Sequence, residues 1–66
     1  MSDERLIRLP RVESLTGLRR AHLYGLARRG QFPKPVKIGA RASAWQESLV
    51  MQWVQDRIRE AQDGAV

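Results

Sequence analysis

The sequence predicts a mainly α fold with a small β-hairpin, and three observations support this. Two short stretches with apolar residues at helical spacing flank Gly17, a connection typical of a helix-turn-helix. A short alternating segment within 36–45 predicts a hairpin. A longer amphipathic helix is predicted over about 46–61. This order of elements is that of a winged helix-turn-helix, with three helices plus a two-stranded wing. The chain is predicted to form a single domain over residues 1–66, with an ordered core over about 5–61.

The bulk composition limits the classes of protein to consider. A chain of 66 residues forms one domain, and the lack of cysteine excludes disulfides and thiolate-bound zinc. The net charge of +5 indicates a polyanion or an anionic membrane surface as partner. No apolar run approaches the roughly 20 residues of a membrane span, and the first residues lack the apolar centre of a signal peptide. We therefore expect a cytoplasmic protein with no membrane partner, associated with the nucleoid if the polyanion is DNA.

The charges are segregated along the chain. No acidic residue occurs between Glu13 and Glu47, whereas seven basic residues do: Arg19, Arg20, Arg28, Arg29, Lys34, Lys37 and Arg41. A surface that only needs to be solvated mixes both signs, so this segregation favours a binding face.

The N-terminal part of the chain is predicted to lead into a short helix. Residues 1–4 resemble a frayed polar end, and the apolar segment at 5–9 fits either a single strand or an extended lead-in. Pro10 suits the first turn of a helix, where its missing N–H costs nothing. The first helix is therefore expected from Pro10 to about Thr16, with Gly17 as its end.

The second helix is predicted over about residues 19–29 and ends at Gly30. Its apolar positions Leu23, Leu26 and Ala27 share one face, and the opposite face is largely basic. In a helix-turn-helix the second helix enters the DNA major groove, and its N-terminal residues contact the base edges.

The hairpin is predicted from residues 36–38 and 42–45, joined by a turn at 39–41. A two-stranded hairpin is barely stable alone, so it must pack on the helices. Phe32, in the connection between the second helix and the hairpin, is expected to fill the core. The residues expected to make the packing contacts are Val36, Ile38 and Trp45.

The third helix carries the widest apolar stripe of the chain, formed by Leu49, Val50, Trp53, Val54 and Ile58. We interpret both tryptophans as core residues. Because this stripe exceeds what one small core is expected to cover, the same five residues are the predicted surface for self-association.

The chain resembles the AlpA-type phage and prophage regulators, which are small winged helix-turn-helix proteins related to excisionases and to MerR-type DNA-binding domains. The residues that carry the resemblance are Leu9-Pro-x-Val-x-x-Leu-Thr-Gly-Leu, Leu23-Tyr24, Gly30-x-Phe-Pro-Lys-Pro-Val-Lys-Ile-Gly, Arg41, Trp45, Val50 and Trp53. They extend over about 6–58, and the Gly-x-Phe-Pro-Lys-Pro segment is quite specific. The resemblance implies sequence-specific binding of double-stranded DNA and transcriptional control in a phage, prophage or other mobile element.

Two positions depart from the family pattern. Arg19 stands where family members usually carry a serine that caps the second helix, and we expect Arg19 to meet a phosphate beside the uncapped helix end. Gly25 stands where the family often has a polar or basic side chain. A glycine inside a helix is costly, so either the backbone approaches DNA there or a neighbour packs against it.

The predicted DNA contacts fall into two groups. Arg20 is the candidate for a base contact, because arginine can bond O6 and N7 of guanine in the major groove. The residues expected to bond phosphates are Arg19, Arg28, Arg29, Lys34, Lys37 and Arg41. For Arg28 and Arg29, stabilisation of the helix dipole is the alternative.

Two further residues have alternative roles. Tyr24 fits a phosphate or sugar contact, or the edge of the core. His22, the only histidine, is expected to face DNA or to serve a structural role, because it has no partners for a metal site.

The sequence offers little for catalysis. The serines have only His22 as a potential base, and the carboxylates lie towards the two ends of the chain. We expect neither an enzyme nor a cofactor. Two other functions fit the charge: an excisionase-like architectural factor that bends DNA and recruits an integrase, and a small basic RNA-binding protein. The apolar placement of the aromatic residues disfavours RNA, because RNA-binding proteins usually expose them for stacking.

Overall fold

The computed structural model describes residues 3–64, and this part of the chain contains three helices and a small antiparallel sheet. The elements in chain order are β1 (Leu6–Ile7), α1 (Leu9–Thr16), α2 (Arg20–Arg28), β2 (Val36–Gly39), β3 (Ala42–Gln46) and α3 (Glu47–Asp63). The predicted fold class is confirmed. We call the hairpin of β2 and β3, with its turn, the wing.

The connection between α1 and α2 is fixed by local signals. Pro10 lies in the first turn of α1, and Gly17 ends the helix in the left-handed conformation at φ 76°. Thr16 Oγ1 donates to Val12 O at 2.8 Å and accepts from Leu18 N at 3.2 Å, which holds the turn. Gly30, at φ 75°, follows α2 as predicted. The helix-turn-helix therefore forms from residues close in sequence.

The sheet has the strand order β1-β3-β2, so the wing is extended by a third strand. Ile7 pairs with Trp45. Of the two alternatives that the sequence left open, this segment is therefore a strand and not an extended lead-in. In the wing, Lys37 pairs with Ser43, but the register shifts before Gly39. This shift leaves one extra residue, a β-bulge, just before the turn.

The core lies between the helices and the inner face of the sheet. Its largest fully buried side chains are Trp45, Leu23, Val12 and Val50. The prediction that Val36 and Ile38 pack on the helices is wrong, since they are 40% and 47% exposed. Val36 pairs with Ala44, the neighbour of Trp45. Successive strand residues point to opposite faces, so Val36 lies on the outer face of the sheet.

Two tryptophans hold the loop that joins α2 to the wing. Trp45 Nε1 donates to Pro33 O at 3.0 Å, and Trp53 Nε1 donates to Gln31 O at 2.8 Å. Between these two anchor points, the buried Phe32 ring packs edge-on against Trp53 with 5.0 Å between ring centroids. The core role predicted for both tryptophans is consistent with these contacts.

The apolar stripe of α3 does not form one surface. Val50 is fully buried and Trp53 is partly buried against the core. Leu49 and Ile58 are 46% and 45% exposed, but nine residues are two and a half helical turns, so they lie on opposite sides of α3. Val50 and Trp53 therefore belong to the core, and self-association through Leu49, Val54 and Ile58 stays a prediction.

The N-terminal segment is attached to the start of α3. Glu4 Oε1 accepts a hydrogen bond from Ser48 Oγ at 2.7 Å, and Glu4 Oε2 accepts one from Ser48 N at 3.3 Å. The prediction of a frayed end at residues 1–4 is therefore wrong for Glu4. Residues 1–2 of that predicted end lie outside the described residues. The sequence predicted an ordered core that ends at about residue 61, whereas α3 continues to Asp63. Residues 65–66 lie outside the described residues.

The Glu4 contact predicts a pH dependence of stability. The hydrogen bonds from Ser48, first from its side chain, lower the pKa of Glu4 below its ordinary value of 4.5. A lowered pKa means that the carboxylate stabilises the fold above the unfolded-state pKa, and that this stability is lost as pH falls through the folded-state pKa. We expect Glu4→Gln to lower the urea midpoint at pH 7, and we expect its difference from the wild type to shrink as pH falls below 4.5.

The matched control is Asp3→Asn, which removes a neighbouring negative charge. If Asp3→Asn lowers the pH 7 midpoint as much as Glu4→Gln does, net charge and not the Ser48 contact sets the effect.

Candidate nucleic-acid interface

The outward face of α2 is small and flat. Leu23 and Ala27 are buried, which fixes the inward side of the helix. By helical periodicity, Ala21, Gly25 and Arg28 lie on the opposite side. Two of these three residues have little or no side chain, so a ligand can come close to the helix axis there.

Gly25 has no packing reason to be a glycine. A methyl group at this position would have Arg29 Nη1 as its nearest neighbour, at an ordinary contact distance of 3.8 Å. Of the two explanations offered by the sequence, packing by a neighbour is therefore excluded for the described part of the chain. The other explanation, a close approach of the α2 backbone to DNA, stays a prediction.

One flank of α2 turns towards the wing. The Arg20 guanidinium lies 5.7 Å from the centroid of the Tyr24 ring, and that ring packs edge-on against Trp45 at 5.7 Å. Tyr24 is half-buried, as expected for the edge of the core. Arg28 and Lys34 border the same ring on its other side.

A cleft with four basic side chains lies between the start of α1, this flank of α2 and the wing. We call it the basic cleft, and the residues that define it are Arg8, Arg20, Tyr24, Lys37, Arg41 and Ser43. No carboxylate lines it. Among residues 3–64 the ion pairs are those of Arg57 with Glu60 and of Arg59 with Asp56, so no acidic partner neutralises the four cations. The cleft is suited to an anion.

Both helices that border the cleft begin without a cap. Arg8 is the N-cap residue of α1 and Arg19 that of α2. In neither helix does the N-cap side chain bond the backbone, and neither first turn contains an acidic residue within the described structure. In α1, Pro10 has no N–H, and the amides of Arg11 and Val12 bond Arg8 O. In α2, the first amide bonded to Arg19 O is that of Leu23, so the amides of residues 20–22 are unbonded and attract anions. For Arg19, this agrees with the missing serine cap.

The other flank of α2 faces α3. His22 borders a groove there, together with Leu26, Phe32, Trp53 and Arg57. Arg29 Nε donates to Gln31 Oε1 at 3.5 Å, near the end of that groove.

The nine predicted site residues therefore do not form one patch. Arg20, Tyr24, Lys37 and Arg41 share the basic cleft, with Arg28 and Lys34 beyond Tyr24. His22 lies on the opposite flank of α2, and Arg19 is the N-cap at the helix start.

Comparison with known proteins identifies the family. The model of the family described as prophage CP4-57 regulatory protein (AlpA) matches residues 5–58. The chain belongs to the AlpA family. The match begins just before β1 and ends within α3, so it includes the helix-turn-helix, the wing and the basic cleft. The AlpA family is described as regulatory, and the resemblance inferred from the sequence is confirmed.

A relative of this AlpA protein occurs in enterobacteria phage P4. It is described as uncharacterized protein ORF88 and is 41% identical over 58 residues, which is 88% of this chain but 66% of the relative. The matched region is thus just under two thirds of the phage protein. No solved structure gave a match.

Other kinds of site find no support in the described part of this AlpA protein. Within residues 3–64, no helix is long and apolar enough to cross a membrane. The same residues include no group of three histidine, cysteine or acidic side chains placed to hold a metal ion.

Sequence reasoning missed Ser43 and one cation of the basic cleft, Arg8. Arg8 lies outside the acid-free stretch that drew attention to the other cations. Its only signal was its position two residues before Pro10, at the predicted start of a helix.

Proposed function

We propose that this AlpA-family protein is a sequence-specific regulator that binds double-stranded DNA in a phage or mobile-element setting. The observation that carries the proposal is the basic cleft, in which four cations without acidic partners adjoin the outward face of α2. DNA phosphates neutralise such cations and release counterions, which supplies much of the affinity.

The dimensions of α2 suit the major groove. An α-helix with its side chains is about 10–12 Å across, and the groove is about 12 Å wide. The small side chains of Ala21 and Gly25 allow the helix to lie deep in it. Arg20 is the first residue of α2, and in this arrangement it would bond guanine.

The remaining basic residues would surround the groove. Lys37 and Arg41 belong to the wing, which would follow the DNA backbone, and Arg28 and Lys34 would bond phosphates beyond Tyr24. His22 and Arg29, on the opposite flank of α2, would face the other wall of the groove.

The test is selection of binding sites from random duplex DNA, followed by affinity measurements across a salt series. We expect a recovered sequence motif and a steep loss of affinity with salt. Salt-sensitive binding without a motif, or a preference for RNA in competition, would contradict the proposal. Strong bending of the recovered site, together with capture of an integrase, would move the role to that of an excisionase.

Gly25→Ala is expected to change stability and DNA binding in opposite directions. Alanine should stabilise α2 by about 0.5–1 kcal/mol, because glycine loses more backbone entropy in a helix and the added methyl meets only Arg29. The same methyl should weaken DNA binding if the backbone lies against the groove floor. Urea unfolding and titration of the recovered site measure the two effects.

Gln55→Ala on the exposed face of α3 is the control for Gly25→Ala. It should leave DNA affinity unchanged. Unaltered affinity in Gly25→Ala would show that the backbone of α2 stays away from the bases.

A further inference from the structure

We infer that the basic cleft binds one phosphate of the DNA backbone, and that Arg8 is one of its ligands. This inference rests on the proposed function and deepens it, because it separates a phosphate site from the base-contacting face of α2. Its evidence is the placement of side chains from three separate parts of the chain.

The four cations of the cleft come together only in the folded protein. Arg8 precedes α1, Arg20 begins α2, Lys37 lies on β2 and Arg41 lies in the wing turn. Bringing like charges together costs free energy, and among residues 3–64 no carboxylate offsets it. An anion in the cleft removes this repulsion and connects the wing to both helices.

The donors of the cleft suit a phosphate. Guanidinium groups bond phosphate oxygens in pairs, and the hydroxyl groups of Tyr24 and Ser43 add neutral donors. Leu9 and Pro10 also line the cleft, but Pro10 has no N–H and the Arg11 amide bonds Arg8 O, so side chains supply the donors. The floor is the buried Trp45, which gives the site a rigid base.

The position of the cleft favours a phosphate of DNA over a free phosphate ion. Arg20 and Tyr24 line the basic cleft and also the adjoining surface that holds Ala21 and Arg28. A strand whose bases meet the outward face of α2 would therefore place its backbone over the cleft.

The test compares Arg8→Gln with Arg11→Gln on the recovered duplex. Arg11 is an exposed arginine in the first turn of α1 that does not line the cleft. Arg8→Gln leaves the backbone bonds of α1 in place, because the Arg8 side chain makes no cap. We expect Arg8→Gln to weaken binding roughly three- to tenfold, to reduce the salt slope by about one and to leave the motif unchanged.

A scan of duplexes with single uncharged methylphosphonate linkages locates the phosphate. One linkage should weaken the wild type and Arg11→Gln more than Arg8→Gln, since the Arg8 contact with that phosphate is already lost in the Arg8 variant. Equal salt slopes for Arg8→Gln and Arg11→Gln would overturn the inference, and so would a scan in which no linkage distinguishes Arg8→Gln from the wild type. In either case a recovered motif would still uphold the proposed function. Failure of the wild type to bind any duplex would instead overturn the proposed function.

Titration with inorganic phosphate, followed by amide chemical shifts, separates the two sources of phosphate. Shifts around the cleft that appear with millimolar phosphate but not with the duplex would make it a site for small anions and overturn the DNA contact. Shifts that appear with the duplex and are lost in Arg8→Gln would support it.

Discussion

Trp45→Ala is expected to remove a large part of the stability of the fold. The side chain is fully buried, packs edge-on against Tyr24 and donates its indole N–H to Pro33 O. Removing a buried tryptophan costs about 3–5 kcal/mol. A chain of this length has a total stability of roughly 3–10 kcal/mol. Circular dichroism and urea unfolding would measure the loss.

Two variants show which part of Trp45 is responsible. Trp45→Phe keeps a ring but leaves Pro33 O without its donor, so we expect a smaller loss of about 1–3 kcal/mol. Leu49→Ala removes a half-exposed apolar side chain and should cost much less. A loss below about 1 kcal/mol in Trp45→Ala would show that the sheet and helices hold together without this side chain.

Arg20→Ala is expected to have the largest effect on DNA binding. If Arg20 bonds guanine at the start of α2, its loss should cost about 1–3 kcal/mol and relax the motif at one base pair. Binding-site selection repeated with the variant would show the relaxed position, and titration would give the affinity.

Arg59→Ala is the matched control for Arg20→Ala, because Arg59 is an exposed arginine of α3 that does not line the cleft. It should keep both affinity and motif. An unchanged motif in Arg20→Ala with a reduced salt slope would assign Arg20 to a phosphate and leave the base contacts to Arg28 and the outward face of α2.

Local signals predicted the helices well. The turn glycine Gly17 and the first-turn proline Pro10 set the ends of α1 within a residue, because each acts through its own backbone geometry. The strand β1 could not be assigned with the same certainty. Its partner Trp45 lies far along the chain, and no nearby residue specifies that pairing.

The site was predicted by residue type but not by arrangement. The charge pattern identified Lys37 and Arg41 as part of a basic surface, and they do line the cleft. It did not predict that Arg8 joins them, because that depends on how the wing packs across the start of α1. The exposure of Ile38 was missed for a similar reason, since the register shift beside it interrupts the alternation of the strand.

The pairing of Ile7 with Trp45 has a consequence for folding during synthesis. The first strand leaves the ribosome early, but β3 must follow before the two can pair, and Glu4 also needs Ser48 at the start of α3. Closing so long a loop costs entropy that only the completed core repays. The helix-turn-helix therefore cannot fold stably before the rest of the chain has been synthesised. We expect an arrested nascent chain to become protease-resistant only once α3 has emerged from the ribosome.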